Sequence, residues 1–412
     1  MAMDRMEALL KQELAQLDRS GVRKSRETII TGVLPPRDGH GIRYLLKGEG
    51  DRPFLRMNSN GYLGLAHHAD VMRAEEEGVR NYGAGPGAVR FISGTYEPHV
   101  RLEQRLAEFH GRQAAMLFSS AYAAVMGVLP SLISPETAVI SDELNHNCII
   151  NAIRLARPKE KFVYEHLNLD QAETFLRQAA ESCRRGIIVT DGIFSMRGDH
   201  APLRELMALA ETYDEKFAEG VFVVVDDSHG VGAFGQTGRG TEEYAECGPA
   251  DILIGTLGKA FGVNGGYVVG SSLLVDFLRE KAPLYIYSNP ITPGEAAAGA
   301  RAVEIVSGSE GQQRLARLRD LTAKFRQGLT DSGFETLPGA HPVVPLMLRD
   351  TERTRSMVLH LRERGILATG IVYPVVPRSD EEIRFQVSAD HTEADLDEVL
   401  AALREFRRTN AS

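Results

Sequence analysis

Residues 221–262 read VFVVVDDSHGVGAFGQTGRGTEEYAECGPADILIGTLGKAFG, and their pattern decides the fold. Val221–Val225 is an unbroken apolar run rich in β-branched residues, as in a strand buried on both faces. It stops abruptly at Asp226-Asp227-Ser228-His229-Gly230, which is too polar for the inside of a sheet. A second run, Asp251–Gly255, leaves through Thr256-Leu257-Gly258 and reaches Lys259. In an open α/β sheet, ligands sit in the crevice beyond the carboxyl ends of the strands. Two neighbouring strands of this kind deliver an acid, an imidazole and a lysine to one crevice.

Outward from this stretch, residues 99–272 alternate between helix and strand periods. Helix HVRLEQRLAEFHG precedes strand Ala114–Phe118, and Ser119-Ser120-Ala121-Tyr122 opens the next helix. Thr137–Ile140 runs into Ser141-Asp142-Glu143-Leu144-Asn145-His146, and shorter strands follow at Phe162–Tyr164 and Ile187–Thr190. With Gly266–Val269 this gives about seven strands joined mostly by helices, which predicts a doubly wound, mostly parallel α/β sheet. Near Pro283–Pro293 the alternation breaks. Helices at 294–307 and 311–332 then lead to a smaller α+β unit. Its strands are expected near Val343–Leu348, Leu367–Val372 and Ile383–Val387, its helices at 352–364 and 392–407. The start reads as an amphipathic helix over 3–18 and an arm over 19–55 with a short hairpin in IRYLLKGEGDRPFLRM. The expected division is 1–55 for helix and arm, 56–285 for the large unit and 286–412 for the small one.

Composition narrows the class. The chain has 412 residues, 43% hydrophobic and 25% charged, as in globular enzymes. With 47 Lys and Arg against 56 Asp and Glu, the net charge of −9 argues against nucleic acid or an anionic membrane as partner. The first residues hold no apolar signal core, and no apolar run is long enough to span a bilayer. A cytoplasmic enzyme is expected. Cys148, Cys183 and Cys247 are odd in number and widely spaced, which suggests neither a disulfide framework nor a metal cluster.

Each candidate residue has a rival reading. Lys259 is followed by Ala260, so a phosphate-binding GxxxxGK[ST] loop is out. It could be a solvated surface lysine, but the strand before it and glycines on both sides favour a buried, functional one. Asp226 and His229 could ligate a metal, yet no further His or carboxylate cluster ends a comparable strand, and no metal is expected. Lysine for a Schiff base and aspartate for a pyridinium nitrogen instead suit pyridoxal 5'-phosphate (PLP). The glycine-rich stretch GAGPGAVRFISG (83–94) is a weak dinucleotide fingerprint, because a helix rather than a strand precedes it. His146 is as readily an ordinary core histidine. Arg384, in EIRFQVSA, needs an anion, and a substrate carboxylate and an interdomain salt bridge both stay open.

The motifs NSNGYLGLAHH (58–68), AVRFISGTYEPH (88–99), ISDELNHNCIINAIRL (140–155), VTDGIFSM (189–196), VDDSHGVG (225–232), GTLGKAFG (255–262), YSNP (287–290) and YPVVPRSDEEIRFQVSADHT (373–392) span nearly the whole chain, from about Arg26 to Phe406. The chain resembles the α-oxoamine synthases, fold-type I PLP enzymes, and most closely their glycine C-acetyltransferase branch. The resemblance implies a large seven-stranded PLP-binding domain and a small α+β one. It makes Lys259 the lysine that bonds the cofactor, Asp226 the partner of the ring nitrogen, and His229 that of the ring hydroxyl. His146 would stack on the ring and help position or protonate substrate. Ser195 and Thr256 would contact the cofactor, and the amides of Ala121 and Tyr122 its phosphate. Ser288 and Asn289 would reach the phosphate from the other subunit of a homodimer, while Asn60 and Arg384 would bind the amino acid, Arg384 by its carboxylate. The implied reaction condenses an amino acid, glycine first, with a short acyl-CoA, acetyl first, or cleaves the product in reverse. Some positions depart from that branch: Gly61, Ala121, Val125 and an apparent insertion at 215–220. The run GVNGGYVVG (262–270) is more like the 8-amino-7-oxononanoate synthase branch, which takes a longer acyl chain from CoA or a carrier protein. An aminotransferase, which shares the lysine, and a non-catalytic heterodimer subunit, which commonly lacks it, are the readings outside this chemistry.

Overall fold

A computed structural model describes residues 2–20 and 27–409. Residues 21–26 of the expected arm, and with them the start of the resembling region at Arg26, lie outside the described residues, as do 410–412. Seven strands form one sheet: β1 (Ala114–Phe118), β2 (Thr137–Asp142), β3 (Glu160–Tyr164), β4 (Arg185–Asp191), β5 (Val221–Asp226), β6 (Ile252–Thr256) and β7 (Gly266–Gly270). Their order is β1-β7-β6-β5-β4-β2-β3, parallel throughout except for β7, which runs antiparallel to both neighbours. This is the architecture that the resemblance to fold-type I PLP enzymes implies. Alternate residues supply opposite faces, so the inner strands are apolar on both, while edge strand β3 leaves Glu160, Lys161 and Val163 exposed. Val139, Ile187, Val189, Val224 and Ile254 pack with Val125, Val128, Ile149 and Ile153 of the 121–132 and 147–156 helices. Ala138, Ile140, Ile188, Val223 and Val225 pack with Ala172, Leu176, Leu203 and Leu206 on the other side.

The strands run further than their apolar cores. Asp191 and Asp226 sit opposite each other as the last rungs of β4 and β5, and Ile254 of β6 pairs with Asp226. The acids therefore keep their backbone in the ladder while their side chains turn into the crevice. At the other end β6 starts at Ile252, because the Asp251 carboxylate accepts from Val223 N–H at 2.8 Å. The expected hairpin differs too. Arg43–Leu46 pairs antiparallel with Ile30–Leu34 and meets Phe54 through a single bridge at Tyr44. Leu55–Arg56 pairs instead, in parallel, with Ile366–Leu367. Residues 90–94 of the glycine-rich stretch form a π-helical turn whose buried Arg90 makes two bonds to Glu103, at 3.0 and 3.2 Å. That arginine is structural.

The C-terminal sheet has the order 335–336, 343–347, 382–386, 369–371, all antiparallel. In the 382–386 strand Ile383 and Phe385 point into the main core, leaving Glu382, Arg384 and Gln386 on the opposite face. The helix Ala2–Arg19 buries no residue. Among the described residues no helix is long and apolar enough to cross a membrane.

Candidate active site

The carboxyl ends of β4, β5 and β6 and the loop after β2 open on one cavity of about 260 Å³. Ala121, Tyr122, His146, Ser195, Asp226, His229, Thr256 and Lys259 line it, eight of the residues singled out in the sequence. Ser120, Cys148, Asp191, Ile193 and Ser228 line it as well and were not anticipated. For Asp191 a signal existed: Thr190-Asp191-Gly192 repeats the pattern of a buried strand ending in an acid and a turn residue. Arg384 and Asn60 stand just behind this wall. Arg384 Nε donates to the Ser195 carbonyl, and Arg384 Nη2 donates to Asn60 Oδ1 at 3.3 Å. Ser288 and Asn289 do not line the cavity, and Asn289 is exposed.

The start of the 121–132 helix shapes one wall. Ser120 caps it, its hydroxyl accepting from Ala123 N–H at 3.1 Å. Helix geometry leaves the Ala121 and Tyr122 amides without a helical acceptor, which suits them to an anion. The Cα of Gly266 lies hard against this turn: a Cβ there would meet Ala121 N at 2.1 Å, so only glycine lets β7 pass so close. On the opposite wall the Asp226 carboxylate is held on both oxygens. Ser228 N–H and its hydroxyl donate to Oδ1 at 3.1 and 2.6 Å, and Cys148 Sγ lies 3.6 Å from Oδ2. His146 Nδ1 accepts from Cys148 N–H at 3.3 Å, which places the hydrogen of the neutral ring on Nε2.

Burial and neighbouring charge tune these groups. Desolvation pulls the Lys259 ammonium down to about 8, against the pull of Asp226 and Asp191 in the other direction. Desolvation, reinforced by Asp226, pushes Asp191 well up. His146 and His229 are both pushed down by burial and are neutral imidazoles. The cavity thus offers an anion cradle, a fixed carboxylate, two neutral imidazoles and a lysine of lowered basicity.

This donor set fits PLP. The 121–122 amides suit its phosphate, Asp226 its ring nitrogen, His229 its ring hydroxyl and Lys259 its aldehyde carbon. The described residues contain one cluster with metal-ligand geometry, His40, Asp395 and Glu398. Arg43 already bonds both carboxylates there, at 2.7 and 2.9 Å.

The loop carrying Ser195 is clamped by His166, which lies 3.1 Å from Asp142 at the end of β2 and 3.2 Å from Asp199. Burial lowers the affinity of His166 for a proton, but the two carboxylates outweigh it and raise its pKa from 6.5 to about 9. A histidine raised on folding adds stability below its unfolded pKa and loses it as pH rises through the folded one. The contribution of His166 is therefore full below pH 6.5 and gone above about 9. Unfolding free energy should fall by roughly 3 kcal/mol across that window, at 1.36 kcal/mol per unit. Urea unfolding at pH 6.5 and 9.5 measures it, and His166→Gln should flatten the fall.

Four likenesses to known proteins bear on this geometry. Residues 52–403 match the sequence profile of the aminotransferase class I and II family. The chain is 41% identical over 355 residues to 8-amino-7-oxononanoate synthase of Thermosipho melanesiensis, covering 86% of this chain and 88% of that protein. The structure superposes on serine palmitoyltransferase of Sphingomonas wittichii with a TM-score of 0.87 at 25% identity, over 99% of this chain and 98% of the other. A serine palmitoyltransferase variant from S. paucimobilis, solved with PLP and myriocin, superposes with a TM-score of 0.85 at 25% identity, over 99% and 98% of the two chains.

Proposed function

Because the chain belongs to the aminotransferase class I and II family and is a PLP-dependent α-oxoamine synthase within it, we propose that it joins an amino acid to a long acyl thioester, as 8-amino-7-oxononanoate synthases do. The name of that product prescribes the pieces. C8 and C9 of the nonanoate, with the amino group, are the α-carbon and methyl of alanine. C1–C7, acid at one end and ketone at the other, are a seven-carbon dicarboxylic acyl group. The alanine carboxylate appears nowhere in the product, so it leaves as CO₂, and the thiol of the donor leaves with it. The observation that carries the reading is Lys259 beside Asp226 and His229 in one cavity, with Arg384 behind it. A second reading, glycine with acetyl-CoA, rests on AVRFISGT, ISDELNH and YPVVP, which resemble the glycine C-acetyltransferase branch.

PLP, when bound, supplies a carbon that an amine can join and a ring that draws electrons from the carbon bearing that amine. The Ala121 and Tyr122 amides would hold its phosphate, and Ser195 and Thr256 would contact the cofactor. Asp226 keeps a proton on the ring nitrogen through a charge-assisted bond worth roughly 1.5–3 kcal/mol. His229 would meet the ring oxygen and His146 would stack on the ring. Arg384 and Asn60 bind the amino-acid carboxylate. Lys259, its pKa lowered to about 8, takes the proton from the α-carbon near neutral pH.

The same proposal includes a cytoplasmic homodimer with shared sites and the 1–55, 56–285 and 286–412 division. Tyr287, next to Ser288, is 81% exposed, and Phe91 and Ile92 are each 67% exposed, apolar surface that a second subunit would cover. The test of function is thiol release that needs both amino acid and acyl-CoA and is matched by CO₂. Amino transfer to a keto acid without CoA would mark an aminotransferase instead.

A further inference from the structure

Tyr62 is fully buried and touches two parts of the site at once. Its hydroxyl lies 2.7 Å from His229 Nδ1 and 3.3 Å from Asn60 Oδ1. That same Asn60 oxygen accepts from Arg384 Nη2. A guanidinium only donates, so Arg384 fixes which end of the amide faces the phenol. A phenol has one hydrogen, so Tyr62 donates to one neighbour only. If it donates to Asn60, it accepts from His229 Nδ1–H, and His229 Nε2 is a bare acceptor. If it donates to His229 Nδ1, the imidazole carries its hydrogen on Nε2 and offers a donor there. The 2.7 Å contact serves both arrangements, and Asn60 decides between them.

His229 has little freedom to escape this choice. His341 Nδ1 accepts from Val343 N–H at 3.1 Å, so its hydrogen is on Nε2, which donates to the His229 carbonyl at 2.9 Å. The Tyr62 ring packs edge-on against His341 with centroids 5.3 Å apart. Burial keeps the phenol protonated. The groups facing His229, namely Lys259, Arg384, His341 and His146, all disfavour a charge on it, after burial itself. The ring therefore changes tautomer, not charge.

We propose that Tyr62 is a positioning residue that sets the tautomer of His229 and couples it to the Asn60–Arg384 pair. A carboxylate seated on Arg384 accepts its Nη2 hydrogen and one from the Asn60 amide nitrogen, which turns the Asn60 oxygen away from Tyr62. Tyr62 then donates to His229 Nδ1, and His229 turns from an acceptor into a donor towards the cavity. Binding of the amino acid would thus strengthen the hold on the ring oxygen at the moment the ring must take electrons. The inference rests on the assignments of His229 and Arg384 made above.

The test is the pH titration of the visible absorbance of the PLP-loaded enzyme, with and without saturating acetate. An added anion raises the midpoint in any variant, whereas a donor turned towards the ring oxygen lowers it. Tyr62→Phe lacks the second effect, so its acetate-induced rise should exceed that of the wild type. The excess should be about half to one pH unit, three- to tenfold, as one hydrogen bond gives. Asn60→Ala cuts the same link and should give the same excess, which decides the matter if Tyr62→Phe does not retain PLP. Equal acetate shifts in the wild type and the variant would overturn the coupling. No acetate effect in either the wild type or the variants would refute the Arg384 assignment, and the coupling with it.

Discussion

Lys259→Ala should lower the rate of thiol release by at least about a thousandfold, within the 10²–10⁴ that one acid–base group supplies or beyond it. Two losses combine in this variant. The α-proton loses its base, and PLP loses the amine that would bond it. Borohydride treatment of the wild type should fix PLP to the peptide containing Lys259, and in the variant it should fix none. The amides of Ala121 and Tyr122 and the carboxylate of Asp226, proposed to hold PLP, line the same cavity and are untouched, so PLP should still bind, reversibly. Labelling of a different lysine in the wild type would sink the assignment. The same variant tests the shared site. Ser288 and Asn289 stand outside the cavity of their own chain. Mixing Lys259→Ala subunits with Ser288→Ala/Asn289→Ala subunits should therefore restore part of the activity, because each heterodimer then holds one intact site. Subunit exchange without recovery would count against sharing.

The parts of this site that could be read from sequence are those announced by a break in a pattern. Asp226 ends an abrupt apolar run, and Lys259 follows a strand between glycines. Most of the seven strands were legible for the same reason, since burial on both faces writes a continuous apolar word, while the exposed edge strand β3 was read only from Phe162 onward. Asp191 was missed because the apolar word of β4 stops at Thr190 and the ladder does not. Arg384 was visible as an oddity but its partner was not. Strand alternation puts it opposite Ile383 and Phe385, yet which surface lies across from it depends on how two sheets meet. The bond from Arg384 to Asn60 spans 324 positions, and nothing local encodes it. His341 and Tyr62 have no signal of their own: a buried histidine and a buried tyrosine look like core. The resemblance to glycine C-acetyltransferase rested on the short stretches AVRFISGT, ISDELNH and YPVVP, of which only His146 lines the cavity. The relative at 41% identity carries the other branch name, as the run GVNGGYVVG suggested.

The acyl chain separates those branches with a large expected effect. The seven-carbon dicarboxylic donor has five methylenes between thioester and far carboxylate where acetyl has one methyl, a gain of four apolar carbons, each counted as a methylene. Each methylene buried is worth about 0.8 kcal/mol, so the four are worth about 3 kcal/mol, or a few hundredfold in kcat/KM. A site shaped for the long donor should show that rise across acetyl-, butyryl-, hexanoyl- and pimeloyl-CoA with alanine as partner. A site shaped for acetyl should show the reverse, because a tight pocket makes each added methylene a clash costing 1–3 kcal/mol, by the usual scale of overpacking. The slope distinguishes the two without reference to the absolute rate, which also depends on PLP loading. Glycine against alanine gives an independent axis, since one methyl in a fitted pocket is worth about tenfold or more. A preference for pimeloyl-CoA and alanine together establishes the 8-amino-7-oxononanoate pairing. A preference for acetyl-CoA and glycine together transfers the chain to the glycine C-acetyltransferase branch, with Lys259, Asp226, His229 and Arg384 keeping the same tasks.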